Sequence, residues 1–280
     1  MTNNLKKYFG IFALPTTVIF AVVFLIPFIL GLYLSFCDFT TVSDSIFTGL
    51  SNYRKILSDE NFLNALWFTI KFTVVSVISI NVIAFGLALL LTNKIKGRNF
   101  FRTVFFMPNL IGGIVLGYIW QLIINGVLSG LGVTITYDPS YGFWGLVVLM
   151  NWQMIGYMMI IYIAGIGNIP KDLIDAAKVD GATSFGVLRH VIIPMVMPSV
   201  TICLFLTLTN AFKLFDANLA LTDGAPSRQT AMLALDIYKT FYGAVGSQGA
   251  GQAKAVIFFL LLAAVSLIQL KITRKREVEA

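Results

Sequence analysis

The sequence predicts an all-α integral membrane protein with six transmembrane helices. Three observations carry this expectation. Of 280 residues, 58% are hydrophobic and only 12% are charged, too few polar groups to cover a soluble globule of that size. The mean hydropathy of +0.85 also excludes a disordered chain. The apolar residues fall in unbroken runs free of Asp, Glu, Lys, Arg and His, at 8–37, 72–93, 103–137, 139–170, 191–212 and 255–270.

A helix needs about 20 residues to cross about 30 Å of hydrocarbon. The first run supplies a span at 11–36; it is too long for the apolar part of a signal peptide, and no small-residue cleavage site follows it. The second supplies 68–92. The third and fourth each exceed one crossing, and the turn residues around Asn125–Gly132 and Asp138–Gly142 divide them into spans 104–124 and 143–167. The fifth span is expected at 194–220. The last run is short, but Lys254 and Lys271 can snorkel from its ends, which gives 252–271. The chain reads as one transmembrane domain, 1–280, with a long loop at 168–193.

Basic residues orient these spans. Thirteen of the twenty fall on one face: Lys6 and Lys7; Lys94, Lys96, Arg98 and Arg102; Lys171, Lys178 and Arg189; Lys271, Arg274, Lys275 and Arg276. That face is cytoplasmic, and both termini lie on it. The net charge of +7 is thereby explained without nucleic acid. Cys37, Cys203 and the single His190 offer no metal cluster, and the two cysteines, in different apolar runs, read as small buried hydrophobes. Trp67, Trp120, Trp144 and Trp152 read as interface or packing residues. Gly113 and Gly117 have the spacing of a close helix contact. No serine–histidine or paired-aspartate set lies within the spans, so no catalytic residue is expected.

The loop at 168–193 does not have a linker's composition. Pro170 suits a first helical turn, and Asp172 and Asp175 complement its positive end. Leu173, Ala176, Ala177 and Asp180 recur at helical spacing, Gly181 permits a break, and Phe185, Leu188 and Ile192 resume the spacing toward Pro194. The expectation is helix, glycine turn, helix at the cytoplasmic surface. An amphipathic linker on lipid and a docking surface both fit; the small residues leave room for close approach.

Polar residues inside spans are costly in lipid and face a cavity or another helix. The fifth span carries Asn210, Lys213 and Asp216, three residues apart, and Lys213 and Asp216 can pair at i, i+3. The fourth carries Asn151, Gln153 and Tyr157. Phe212, Phe215 and Tyr157 offer aromatic surface.

Asp175-Ala-Ala-Lys-Val-Asp-Gly-Ala followed by Ile193-Pro194 resembles the E-A-A-x-x-x-G coupling motif of ABC importer permeases. Ile169-Pro170-Lys-Asp-Leu before it fits too. Leu221-Thr-Asp-Gly-Ala-Pro226 resembles the L-T-x-G-G-P segment of the maltose-type carbohydrate branch. Ile237-Tyr238-Lys-Thr-Phe241-Tyr242 and the basic tail are also similar. The chain departs from the pattern at Asp175, where the motif has glutamate, and at Ala225, where it has glycine.

The resemblance implies a type I ABC importer permease fold with a cytoplasmic coupling helix, in a bacterial or archaeal cytoplasmic membrane. It implies a second homologous permease subunit, two ATPase subunits, an extracytoplasmic solute-binding protein and a sugar or oligosaccharide cargo, moved by alternating access. The chain has no G-x-x-x-x-G-K-[ST] phosphate loop; it is no enzyme and binds no cofactor itself, and ATP and Mg belong to the partner ATPase. Asp172, Asp175, Ala176, Ala177, Asp180 and Gly181 are then the ATPase-coupling residues. Tyr157, Asn151, Asn210, Lys213 and Asp216 are the substrate-path residues. Competing readings are the same machine carrying glycerol phosphate or another non-sugar solute, and a secondary transporter.

Overall fold

The computed structural model describes residues 10, 13–93, 95–275 and 277. Lys6, Lys7, Lys94 and Arg276, used above to orient the spans, lie outside the described residues, as do the first two residues of the span expected at 11–36. Among the described residues, five helices are long and apolar enough to cross a membrane, or six if one bent pair counts as a single span. The chain divides into two compact units, one formed by residues up to Phe62 with Ile237–Phe259, the other by Leu63–Asp236 with the residues from Leu260 on.

In the first unit, α1 (Ala13–Leu34) leads into a hairpin of two short antiparallel strands, β1 (Cys37–Asp38) and β2 (Ile46–Phe47), then α2 (Ser51–Leu57). Buried Asn52 ties them together, donating to the carbonyls of Ser35 at 3.1 Å and Cys37 at 2.8 Å. Lys254 does not snorkel. It is 1% exposed and donates to Asp59 at 2.6 Å and to Thr240 Oγ1 at 2.9 Å. Burial pushes the Asp59 carboxyl up, but the Lys254 ammonium outweighs it and holds Asp59 below the usual carboxylate range.

The second long helix, α3 (Glu60–Thr92), has 33 residues, or about 50 Å at 1.5 Å per residue. It begins eight residues before the expected 68, because Asp59 caps it through the Asn61 N–H and its buried positions Ala65, Phe68, Thr69 and Phe72 continue the helical spacing upstream. Counting charge-free residues missed this stretch.

The span expected at 104–124 is broken. α4 (Arg98–Phe106) ends in a single 3-10 turn at Met107–Leu110, and α5 (Gly113–Leu128) restarts after it. Pro108 and the pair Gly112–Gly113 account for the break. It is held on α6 (Pro139–Gly167), where Gly156 meets the backbone of Phe105 and Phe106 so closely that no Cβ fits. Gln153 Nε2 also donates to the Ile111 carbonyl at 3.3 Å.

After α6 come α7 (Lys171–Val179) and α8 (Ser184–Met195), which bends by 69° into α9 (Met197–Phe212). Pro194 and Pro198 flank the bend and remove backbone donors there. The helix expected to run from 194 to 220 stops at Phe212; α10 (Asp216–Leu221) is separate. The chain then forms a loop with buried ends, at Thr222 and at residues 230–232, and an exposed tip at residues 227–229, and continues through α11 (Leu233–Gly243) and α12 (Gln248–Arg274).

The core of the second unit is tied by a polar link among α3, α6 and α9. The Tyr162 hydroxyl donates to Asn81 Oδ1 at 2.7 Å, Asn81 Nδ2 donates to Thr207 Oγ1 at 2.9 Å, and Thr207 donates to the Cys203 carbonyl at 2.7 Å. All are buried, so each polar atom finds inside the protein the partner that lipid cannot give.

Candidate functional site

Two interruptions of the spans, at 107–112 and 213–215, line one cavity of about 300 Å³. Irregular backbone at membrane depth persists only where protein buries it or where it borders a cavity. α6 contributes Met150, Gln153 and Met154, the first break contributes Asn109, and Asn210, Lys213, Phe215 and Asp216 complete the wall. Three carboxamides, an ammonium and a carboxylate therefore converge beside an aromatic ring and two methionines. Carboxamides both donate and accept, which suits a ligand bearing hydroxyls.

Asp216 is placed by α5. A Cβ on Gly113 would stand 2.9 Å from that of Asp216, and one on Gly117 2.5 Å from that of Ala220. The glycine spacing read in the sequence is thus the seat of α10. Within α10, Asn218 accepts from the Met232 N–H at 2.9 Å and donates to the Thr230 carbonyl at 2.8 Å, while Thr230 donates to Thr222 Oγ1 at 2.9 Å. Gln121 caps the short helix by donating to the Leu221 carbonyl. The loop takes left-handed backbone at Gly224, φ +78, but not at Ala225, so alanine for glycine at 225 costs no strain of that kind.

Of the five residues expected along the path, Asn210, Lys213 and Asp216 line the cavity. They do so without the i, i+3 pairing expected on one helix: the helix ends between them, and no ion pair joins Lys213 to Asp216 among the described residues. Tyr157 and Asn151 are not in the cavity wall. Tyr157 sits edge-on to Phe106, ring centroids 6.4 Å apart, one turn along α6 from Gln153. Asn151 donates to the Val147 carbonyl at 2.8 Å, and its Oδ1 is buried without a partner. Of the aromatic candidates, Phe215 lines the cavity and Phe212 is 3% exposed. Asn109 was missed; the Pro108 break beside it was the available signal.

The segment after α6 forms a second constellation. Buried Ile169 and half-buried Ile174 anchor α7 to the core. Asp172, Asp175, Ala176, Asp180 and Gly181 are exposed, and Ala177 is half-buried. Gly181 turns the chain with φ +83, and the Thr183 hydroxyl accepts from the Gly186 N–H to start α8. Asp175 lies 3.5 Å from Lys178, both largely exposed. The arrangement is a short helix anchored on one side and presenting acids and small residues outward.

Comparison with known proteins places the chain in a family. Residues 80–278 match the model of the binding-protein-dependent transport system inner membrane component. The chain is 47% identical to a probable starch degradation products transport system permease protein of Thermoanaerobacterium thermosulfurigenes, over 97% of this chain and 96% of that one. It is 30% identical to a multiple sugar-binding transport system permease protein of Streptococcus mutans, over 98% of each. Among solved structures, it is similar to a chain of a bacterial ABC transporter involved in the import of the acidic polysaccharide alginate. That likeness has a TM-score of 0.82 and 20% identity and covers 98% of both chains.

Proposed function

The chain belongs to the family of binding-protein-dependent transport system inner membrane components, and on that premise we propose that it is the membrane-spanning subunit of an ATP-driven importer for a sugar or oligosaccharide. The fold is that of an ABC importer permease, and the protein is a multi-pass membrane protein. The cargo reading rests on the relatives named for starch products and sugars and on one observation, the carboxamide-rich cavity where the two broken spans meet.

In this reading Asn109, Gln153 and Asn210 exchange hydrogen bonds with cargo hydroxyls, Phe215 offers a ring face, and Lys213 and Asp216 order the hydroxyls between them. Asn151 and Tyr157 act farther along the path, when the helices move. The chain works with a second permease subunit, two ATPases and a solute-binding protein, with both termini at the cytoplasmic face of a bacterial or archaeal membrane. ATP and Mg are held by the ATPases. Asp172, Asp175, Ala176, Ala177, Asp180 and Gly181 meet an ATPase, and its closure on ATP is passed through α7 to the spans as rigid-body rocking.

The test is uptake of labelled malto-oligosaccharides into proteoliposomes carrying the co-expressed transporter and its binding protein. ATP-dependent uptake that falls in the Asn210→Ala variant is expected. Uptake that ignores ATP and follows a proton or sodium gradient would make the chain a secondary transporter.

A further inference from the structure

A second cavity, of about 550 Å³, lies between the segment from α7 to α8 and the C-terminal ends of α3 and α6. Its lining is graded: Ile166 is buried, Leu89 and Ile192 are half-buried, and Asn93, Lys178 and Ser184 are exposed. No carboxylate lines it. The apolar helices α3 and α6 both end here, at Thr92 and Gly167, where hydrocarbon gives way to headgroups. Among the described residues Lys178 pairs with Asp175 at 3.5 Å, and the two side chains are 62% and 69% exposed, a weak pair.

An apolar floor, a polar rim and one ammonium at the edge follow the polarity of a phospholipid read from acyl chain to headgroup. Further cations stand at the same helix ends, including Arg102, whose guanidinium donates to the Leu91 carbonyl at 2.9 Å, and exposed Arg189; basic clusters of this kind attract anionic lipid. The residues assigned above to the ATPase do not line the cavity.

We propose that this cavity is a binding site for an anionic phospholipid, its phosphate against Lys178 and the start of its acyl chains on Leu89, Ile166 and Ile192. The lipid fills the space between α7 and the spans, so a push on α7 reaches α3 and α6 through a packed contact rather than across a void. The site depends on the spans and not on the cargo.

The test counts lipids retained by the whole co-purified transporter, by native mass spectrometry after reconstitution in nanodiscs of phosphatidylcholine with phosphatidylglycerol. The wild type is expected to retain phosphatidylglycerol in preference, and Lys178→Gln to reduce that preference about fivefold, the worth of one cation near an anionic surface. Leu188→Trp, which fills the cavity, lowers retention of both lipids. Lys171→Gln, on the same helix but outside the cavity, leaves retention unchanged. Equal preference in wild type and Lys178→Gln overturns the proposal, as does displacement of the lipid by millimolar inorganic phosphate, which would make the site one for the free anion. The readout needs no transport, so it stands or falls separately from the sugar assignment.

Discussion

Gly117 of α5 faces Ala220 of α10 with no room for a side chain: a Cβ on the glycine would stand 2.5 Å from the alanine's. Four residues earlier Gly113 sets the same closeness to Asp216. A six-residue helix could not hold its own conformation, so its place in the cavity wall comes from this seat.

Gly117→Ala is therefore expected to overpack the contact and to cost about 1–3 kcal/mol, with uptake falling as Asp216 shifts. Adding Ala220→Gly should recover part of both losses. A double-mutant cycle on melting temperature and uptake measures this; purely additive effects would show that the two residues do not share the contact.

In the cavity, Asn109→Ala, Gln153→Ala and Asn210→Ala should each weaken cargo by about fivefold in apparent KM, the value of one lost hydrogen bond. ATP hydrolysis stimulated by the binding protein at saturating cargo should change less. Tyr157→Phe is expected to leave KM within about twofold, because its ring lies outside the wall.

Tyr162→Phe leaves Asn81 Oδ1 without its hydroxyl partner in the core. The expected loss is about 0.6 kcal/mol, the average for such links between membrane helices, and at most about 1.7 kcal/mol. It is read as a lower melting temperature of the purified complex with the apparent KM for cargo unchanged. A raised KM would mean that the link shapes the cargo path.

Asp59 titrates below the usual carboxylate value because of Lys254. A group depressed in the folded state contributes stability above its unfolded pKa, about 4. That contribution is lost as pH falls through the lower folded value. The wild type should lose melting temperature on acidification below about pH 4 more steeply than Asp59→Asn. At neutral pH, Asp59→Ala should cost about 3 kcal/mol by depriving a buried ammonium of its carboxylate.

Asp175→Lys should abolish stimulation of ATP hydrolysis by loaded binding protein while leaving cargo binding intact. Undiminished stimulation, measured as phosphate release in proteoliposomes, would remove α7 from the coupling role. Gly181→Val forces a β-branched residue to φ +83 and should weaken the same turn by about 1–2 kcal/mol.

The amino-acid sequence alone determined that this chain crosses a membrane several times, because about 20 apolar residues in a row have no other stable place. It also determined the helix, glycine turn and helix after α6, since proline, aspartate and glycine act there through local geometry. Tertiary structure decided where spans break. Pro108 and Pro198 permit a bend, but Gly156 and the carboxamide of Gln153 hold the first break against α6. Those contacts join residues more than forty positions apart, which periodicity cannot see. The same reason separates Lys213 from Asp216: a helical wheel pairs them, whereas the packing of α10 on Gly113 and Gly117 ends the helix between them and turns both toward the cavity. Lys254 reads as a snorkelling end residue until Asp59, far away in sequence, supplies the charge that makes its burial tolerable.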